Sequence, residues 1–261
     1  MKRYALLGAA VGTLLALVLF APAQWLGAVL ARISDNRVQL AEARGSVWQG
    51  SAVLVLTGGA GSQDASSLPG RLSWSLGLQG PALLLHLQQS CCIRDELRIR
   101  VQPGWSRVRV DVLPGADPAL PLGQWPASWL SGLGTPWNTL KLTGVFRVSS
   151  PGLSVESVRG RWLFSGRAEL ALDHIASRVS TLEALGSYQV VIEGDAKGDL
   201  ATVQLLTRSG PLMLSGSGQW AASRLRFNGQ ASAAPGAELA LNNLLNIIGK
   251  RQGALALISI G

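Results

Sequence analysis

From about residue 40 onward, apolar and polar residues take turns in short runs, and Gly, Pro or Asp separates one run from the next. Successive side chains of a strand point to opposite faces, so a period of two predicts half-buried β-strands. The spacing predicts strands over 51–56, 70–76, 83–88, 97–101, 106–113, 139–148, 155–158, 161–172, 187–193, 201–207, 211–220 and 224–231. Residues 40–115 hold no long helical periodicity, which argues against a parallel sheet built from βαβ units. Helix is expected only at 24–36, 120–133 and 237–248. The last has Gly249 as its stop, with Lys250 and Arg251 beside the negative end of its dipole. Residues 254–260 predict a closing edge strand.

The N-terminus breaks this rhythm. Lys2 and Arg3 precede an apolar run over 4–23, interrupted only by Gly8, Gly12 and Thr13. A helix of about 20 residues crosses a hydrocarbon core of ~30 Å. Ala21-Pro22-Ala23 also imitates the cleavage site of a signal peptide. The run exceeds a usual signal core, however, and apolarity resumes at Trp25, Leu26, Ala28, Val29 and Leu30. A retained anchor over 1–31 is therefore expected, with residues 32–261 as a periplasmic domain of a bacterial inner-membrane protein. Two basic residues before the span hold the short tail inside. The expected fold class is mainly β: an N-terminal transmembrane helix, then a curved antiparallel sheet, part sandwich and part trough, with a few short helices. Trp48, Trp74, Trp105, Trp137, Trp162 and Trp220 would fill its sheet-on-sheet core, and nearby glycines such as Gly50, Gly144, Gly166 and Gly216 would mark bulges.

A repeat at constant offset supports a possible duplication over about 40–115 and 156–235. Gly50, Ala52, Leu54, Leu56 and Gly70 superpose on Gly166, Ala168, Leu170, Leu172 and Gly186. Chance matching of strands rich in Leu, Ala and Gly is the competing explanation.

Composition narrows function mostly by exclusion. Hydrophobic residues make up 48% and charged residues 15%, the opposite of a disordered chain. Two Cys cannot staple a miniature fold, and two His leave little for metal or acid–base chemistry. His86 lies in an apolar run and His174 follows Asp173, neither with a partner at metal-ligand spacing. No Ser sits in a Gly-x-Ser-x-Gly frame, and the Gly-rich stretch 57–61 opens no helix. No enzyme, cofactor, metal or small-molecule substrate is expected.

Two local features remain. Cys91 and Cys92 are adjacent; in an oxidising compartment they pair with each other or with another chain, while the bland reading is two small buried hydrophobes. Arg94, Arg98, Arg100, Arg107 and Arg109 gather on one hairpin, opposite faces of which carry Leu97, Ile99, Val101, Val108, Val110 and Val112. A turn at Pro103-Gly104 would set Arg100 against Arg107 and Arg98 against Arg109, a destabilising arrangement. Slipping by two pairs Glu96 with Arg109 and Arg94 with Asp111 and leaves one Arg–Arg clash, so electrostatics favours the slipped register, which still retains excess positive charge. With 23 Lys and Arg against 15 Asp and Glu, the hairpin reads as a solvated face or as a surface for an acidic partner or anionic lipid. Nucleic acid is improbable beyond the membrane.

Several phrases in order resemble the type II secretion system protein N (GspN) family. They are 45–52 (GSVWQGSA), 68–74 (LPGRLSW), 137–140 (WNTL), 185–188 (LGSY), 212–218 (LMLSGSG), 227–229 (FNG) and 244–251 (LLNIIGKR). The resemblance implies a single-pass inner-membrane protein whose periplasmic β domain contacts other secretion components and supports export of folded exoproteins. It implies no catalytic residues, and the Cys91-Cys92 pair lies outside its pattern. The alternative from another class is a membrane-anchored periplasmic lipid-binding or lipid-transfer protein of AsmA-like type, with a Leu- and Val-lined trough holding acyl chains.

Overall fold

One open antiparallel sheet takes in sixteen strands among the described residues. The computed structural model describes all residues except Met1, Ala116, Pro118, Ala119, Ala196, Lys197, Asp199, Ala222 and Ser223. It leaves the side chains of Lys2, Arg3, Ala5, Leu6, Leu7, Ala9, Ala10, Leu14 and Ala221 undescribed. The first half of the sheet comprises β1 (Val38–Gly45), β2 (Gln49–Thr57), β3 (Ala65–Ser67), β4 (Leu72–Gln79), β5 (Ala82–Gln88), β6 (Leu97–Gly104) and β7 (Arg107–Val112). The second comprises β8 (Gly123–Pro126), β9 (Leu142–Val158), β10 (Arg161–Ser177), β11 (Gly186–Gly194), β12 (Leu200–Ser209), β13 (Leu212–Ala221), β14 (Arg224–Ala233), β15 (Lys250–Gln252) and β16 (Leu255–Ile260). Neighbours in space are mostly neighbours in sequence, with β3 beside β2 and β8 beside β9 off the main path.

Register sorts the side chains into two faces. Paired residues of antiparallel strands share a face, so each ladder can be followed into the next. Starting from Trp74, the chain of partners runs through Leu87, Leu97 and their alternates Leu85, Ile99, Val112, Leu153, then across β10 to Ala168, Ile192, Val203, Gly218, Phe227 and Ile260. That face is apolar from β2 to β16. The opposite face carries Ser73, His86, Arg98, Asp111, Glu156, Glu193, Gln204, Ser217 and Asn228. Strand β14 shows the outcome: Arg226, Asn228 and Gln230 are exposed while Phe227 and Ala231 are buried.

Short elements cover parts of the apolar face. Helix α2 (Ala23–Ile33) packs at one end, where Ala23, Ala52 and Trp74 are buried with Leu26, Leu40, Leu85 and Leu87 against them. A 3-10 helix (Ala127–Leu133) bridges β2–β3 and β9, with Trp129 Nε1 donating to the Ser66 carbonyl, and the single turn α3 (Trp137–Leu140) follows it; α4 (Glu238–Ile248) packs at the other end. Leu241, Leu244 and Leu245 of α4 are fully buried there among Ile175, Leu185, Tyr188 and Leu212. Their i, i+3, i+4 spacing puts all three on one helix face.

Several expectations are corrected. The apolar N-terminal run does not form one span over 4–23: α1 (Lys2–Leu19) ends before Pro22, which starts α2. Proline lacks the N–H that would continue the ladder. Eighteen residues reach about 27 Å, and among the described residues no helix is long and apolar enough to cross a membrane. The helix expected over 120–133 is instead β8 followed by the 3-10 helix, with Pro121 and Pro126 interrupting helical hydrogen bonding. The two strands expected over 139–148 and 155–158 are one, β9, running through a bulge around Ser150. Residues 255–260 form a strand as expected, but β15 covers its outer edge. No second sheet makes a sandwich among the described residues. The tryptophans accordingly do not fill a sheet-on-sheet core: Trp74 is 4% exposed, Trp162 44% and Trp105 99%.

Candidate functional site

The β6–β7 hairpin and the turn leading into it hold every site residue singled out from the sequence. Its turn is Trp105-Ser106, with Gly104 opposite Arg107 and Ser106 at φ +60°. Both registers expected from the sequence are therefore wrong. Strand β6 is shifted by four in the opposite direction, which sets Arg100 against Asp111 and Gln102 against Arg109. A two-residue connection is the commonest for a hairpin, and this one also removes every Arg–Arg pair between the two strands. The opposition of like charges that both expected registers retained does not exist.

What remains is a basic face with partial compensation. Arg109 Nε donates to Asp111 Oδ1 at 2.8 Å, and Arg107 Nε lies 3.6 Å from Glu156 Oε1 on β9. Burial pushes the Asp111 carboxyl up. Hydrogen bonds from Arg109 and Ser154, with the charges of Arg109 and Arg100, outweigh that and hold it below the usual carboxylate range. The hydrogen bond to Asp111, then its charge, raises Arg109 correspondingly. Arg98 donates to the Pro114 carbonyl at 3.1 Å rather than to a carboxylate. Arg94 is exposed in the turn before β6. Among the described residues Arg94, Arg98 and Arg100 form no direct ion pair, although Arg100 stands opposite Asp111 and its charge helps to lower that carboxyl.

Cys91 and Cys92 occupy that same turn, not a strand, and are joined as a vicinal disulfide with Sγ–Sγ 2.03 Å. Cys91 is exposed and Cys92 buried. The turn is fixed from both sides: Cys92 and Ile93 donate their N–H groups to the Gln89 carbonyl, and the Cys92 carbonyl accepts from Gln124 at 2.7 Å. Gln89, itself buried, donates its side-chain amide to the Pro69 carbonyl. A strand alternation reading had no means to anticipate this pocketed turn.

His86 has a partner that sequence spacing missed. Glu96 Oε2 lies 2.9 Å from His86 Nδ1, brought across because β5 and β6 pair in the register that seats His86 opposite Arg98. The pair lines a cleft of about 430 Å³ with Arg44, Gln49, Ser73, Ser75 and Gln88. Ser75 is the ladder partner of His86, yet no hydrogen bond joins its hydroxyl to the imidazole. A nucleophile without a hydrogen-bonded base lacks the arrangement that activates serine. His174 is exposed at a bulge of β10, its backbone N–H donating to Ser187 Oγ. Among the described residues no three His, Cys, Asp or Glu side chains gather into a metal-binding group.

Beyond the hairpin, the loop between β1 and β2 ties the sheet to the N-terminal helices. Trp48 Nε1 donates to the Val18 carbonyl at 2.8 Å, and Val47 N–H donates to Ala21. The final carbonyls of a helix have no partner within it, so Trp48 closes the end of α1. Trp74 Nε1 in turn donates to the Val47 carbonyl.

Residues 36–257 match the family described as type II secretion system (T2SS), protein N. The match begins just before β1 and extends into β16, taking in the whole hairpin, the cysteine turn and α4. The chain belongs to the type II secretion system protein N family. It is thus a member of a family of secretion-machinery components. No curated protein and no solved structure matches the chain at a significant level. The N-terminal helices α1 and α2 lie ahead of the matched region.

Proposed function

We propose that this protein is a non-catalytic inner-membrane component of the type II secretion pathway. It supports export of folded exoproteins through periplasmic contacts with other parts of the machine. The observation that carries the reading is the family match over nearly all of the sheet. The contact surface is the polar face of β6 and β7, where Arg94, Arg98 and Arg100 extend beyond what Asp111 and Glu156 compensate. An excess of one charge on a folded face raises the rate at which an oppositely charged partner arrives.

The N-terminal segment seats the domain at the membrane. In support, Tyr4, Val11, Leu15, Leu17, Leu19 and Phe20 of and just after α1 are exposed. A helix about 3 Å short of a ~30 Å hydrocarbon core is accommodated by local thinning of the bilayer. Trp25, half exposed on α2, is then an interfacial anchor. Chemical crosslinking in membranes, followed by identification of the captured proteins, tests the reading. Capture of other secretion components supports it; capture of none of them overturns it. The mass of the mature chain tests the anchor, because a product beginning at Gln24 removes it.

A further inference from the structure

The apolar face of the sheet is longer than the elements that cover it. The 3-10 helix bridges β2–β3 and the first part of β9, while helix α2 closes one end and α4 closes the other. Between them, Ile99, Val101, Val110, Val155, Ile192 and Val203 are half-buried and belong to neither cluster. From β6 to β13 this open stretch crosses six strand spacings, roughly 30 Å at ~4.8 Å each. Register places no charged side chain on it: every Arg, Lys, Asp and Glu of β6, β7, β10, β11 and β14 lies on the other face.

Hydrogen-bonding capacity is nearly absent as well. The Tyr188 hydroxyl is committed to the Leu212 carbonyl and the Thr207 hydroxyl to the Leu214 carbonyl. A protein partner brings a polar backbone, and protein interfaces carry about one hydrogen bond per 100–200 Å². This stretch offers almost no partner for hydrogen bonds of that kind. A hydrocarbon chain needs none. The Trp220 indole N–H is itself buried beside the Phe164 ring, at 5.2 Å between centroids, and so adds no donor to the surface of the face. A Cβ at Gly216 would meet the Phe227 ring at 2.5 Å, so the ring lies over the glycine backbone.

We propose that the open apolar face from β6 to β13 binds the acyl chain of a membrane lipid. The sheet then serves as a hydrocarbon-lined track that begins beside α2, the helix that follows the exposed apolar helix α1. This goes beyond the secretion reading and stands on a different face of the sheet from the basic hairpin.

The test uses the full chain in its own membranes, carrying a photocrosslinking amino acid at one position per variant. Val110 and Val203 report the apolar face; Arg109 and Gln204, one residue away, report the polar face. After irradiation, intact mass identifies each adduct. The expected result is acyl-lipid adducts at Val110 and Val203 at least ~10-fold above those at Arg109 and Gln204. A ratio of ten corresponds to about 1.4 kcal/mol, less than the burial of two methylenes supplies. Equal labelling of both faces overturns the proposal. So do adducts of a second copy or another protein on the apolar face. Replacing Val110 and Val203 by Ala, which keeps the face apolar, checks folding by circular dichroism. Val203→Asp in that same assay should abolish the Val110 lipid adduct while leaving hairpin crosslinks to secretion components in place. A Val110 lipid adduct that survives Val203→Asp would overturn the lipid proposal, whereas absence of hairpin crosslinks to secretion components in the unsubstituted chain would overturn the secretion reading instead.

Discussion

The two ends of the sheet share one apolar face but close it differently. At the C-terminal end, 12 buried residues from β10, β11, β13, β14, β16 and three helices make a continuous core. At the N-terminal end, among the described residues, only Ala23, Ala52 and Trp74 do so. The C-terminal end draws on an amphipathic helix whose Leu241, Leu244 and Leu245 enter the core together. The N-terminal end relies on Trp74, on α2, on Leu56 and Leu68 buried outside that cluster, and on indole N–H bonds from Trp48 and Trp74 to the Val18 and Val47 carbonyls. Stability is therefore concentrated at one end, and the charged and disulfide-bearing features sit toward the other. Regions with few buried contacts open at lower free energy, which suits the contact surface proposed for that end.

The sharpest way to break this comparison is to truncate one leucine at each end. Leu241→Ala removes a fully buried side chain and should cost about 2–5 kcal/mol. Leu85→Ala, at a half-buried site packed on the smaller cluster, should cost about 1 kcal/mol. Urea denaturation of the full chain in a mild detergent reads both. Equal losses would remove the asymmetry.

Overpacking comes next in size. A Cβ at Gly50 would lie 2.5 Å from the Trp74 ring and 2.6 Å from the Arg44 carbonyl. The carbonyl belongs to the backbone and cannot turn aside, so Gly50→Ala should cost about 1–3 kcal/mol. Trimming the ring in Gly50→Ala/Trp74→Leu should not restore stability, since the backbone clash persists. Full recovery in the double variant would show that the ring alone sets the limit.

How much of this was legible in the residues differs between the same two ends. Strict alternation in 224–231 and 211–220 yields β13 and β14 nearly as they are, because each apolar residue has one covered face to occupy. Gly249 and the leucine spacing likewise locate α4. The N-terminal end was harder. Strand β1 carries Gln39, Glu42 and Arg44 and bulges at Glu42, so it has no clear period. The hairpin register was misread because Pro103-Gly104 looks like a turn, while the true turn, Trp105-Ser106, carries none of the usual turn chemistry except a residue able to take positive φ. Glu96 reaches His86 only through that strand pairing, a non-local fact that no spacing rule encodes. The proline that ends α1 was visible, but its apolar flanks masked the break.

A smaller effect follows from Asp111. Its carboxyl is held below the usual range, so the folded state binds protons more weakly there than the unfolded chain does. The stabilisation is present above the ordinary carboxylate pKa of about 3.9 and is lost as the pH falls below it. Arg109 is substantially exposed, so the contribution is about 0.5–1 kcal/mol after solvent screening. Asp111→Asn should lose that amount at pH 7 and flatten the decline in stability below pH ~4. An unchanged acid limb would show that other carboxylates dominate it.

The smallest effect on folding, and the most informative for function, is expected from reversing Arg98 and Arg107 to Glu together. Arg98 gives up one exposed hydrogen bond to the Pro114 carbonyl, and Arg107 loses a 3.6 Å contact with Glu156 that becomes a like-charge neighbour. Exposed pairs of this kind are worth under about 1 kcal/mol. Because the observed register opposes Arg100 with Asp111 rather than with another arginine, the hairpin carries no internal repulsion for the reversal to relieve. Any stability change should therefore be a small loss. Binding is a different matter: the double reversal shifts the face by four charges, and charge complementarity governs the approach of partners at low salt. Crosslinks to secretion components should fall by about tenfold at low ionic strength and by less near 0.5 M salt, where screening acts within a few ångströms. If every crosslink and exoprotein secretion persist at low salt, the basic face of β6 and β7 is only a solvated surface, and the partners dock elsewhere on the sheet.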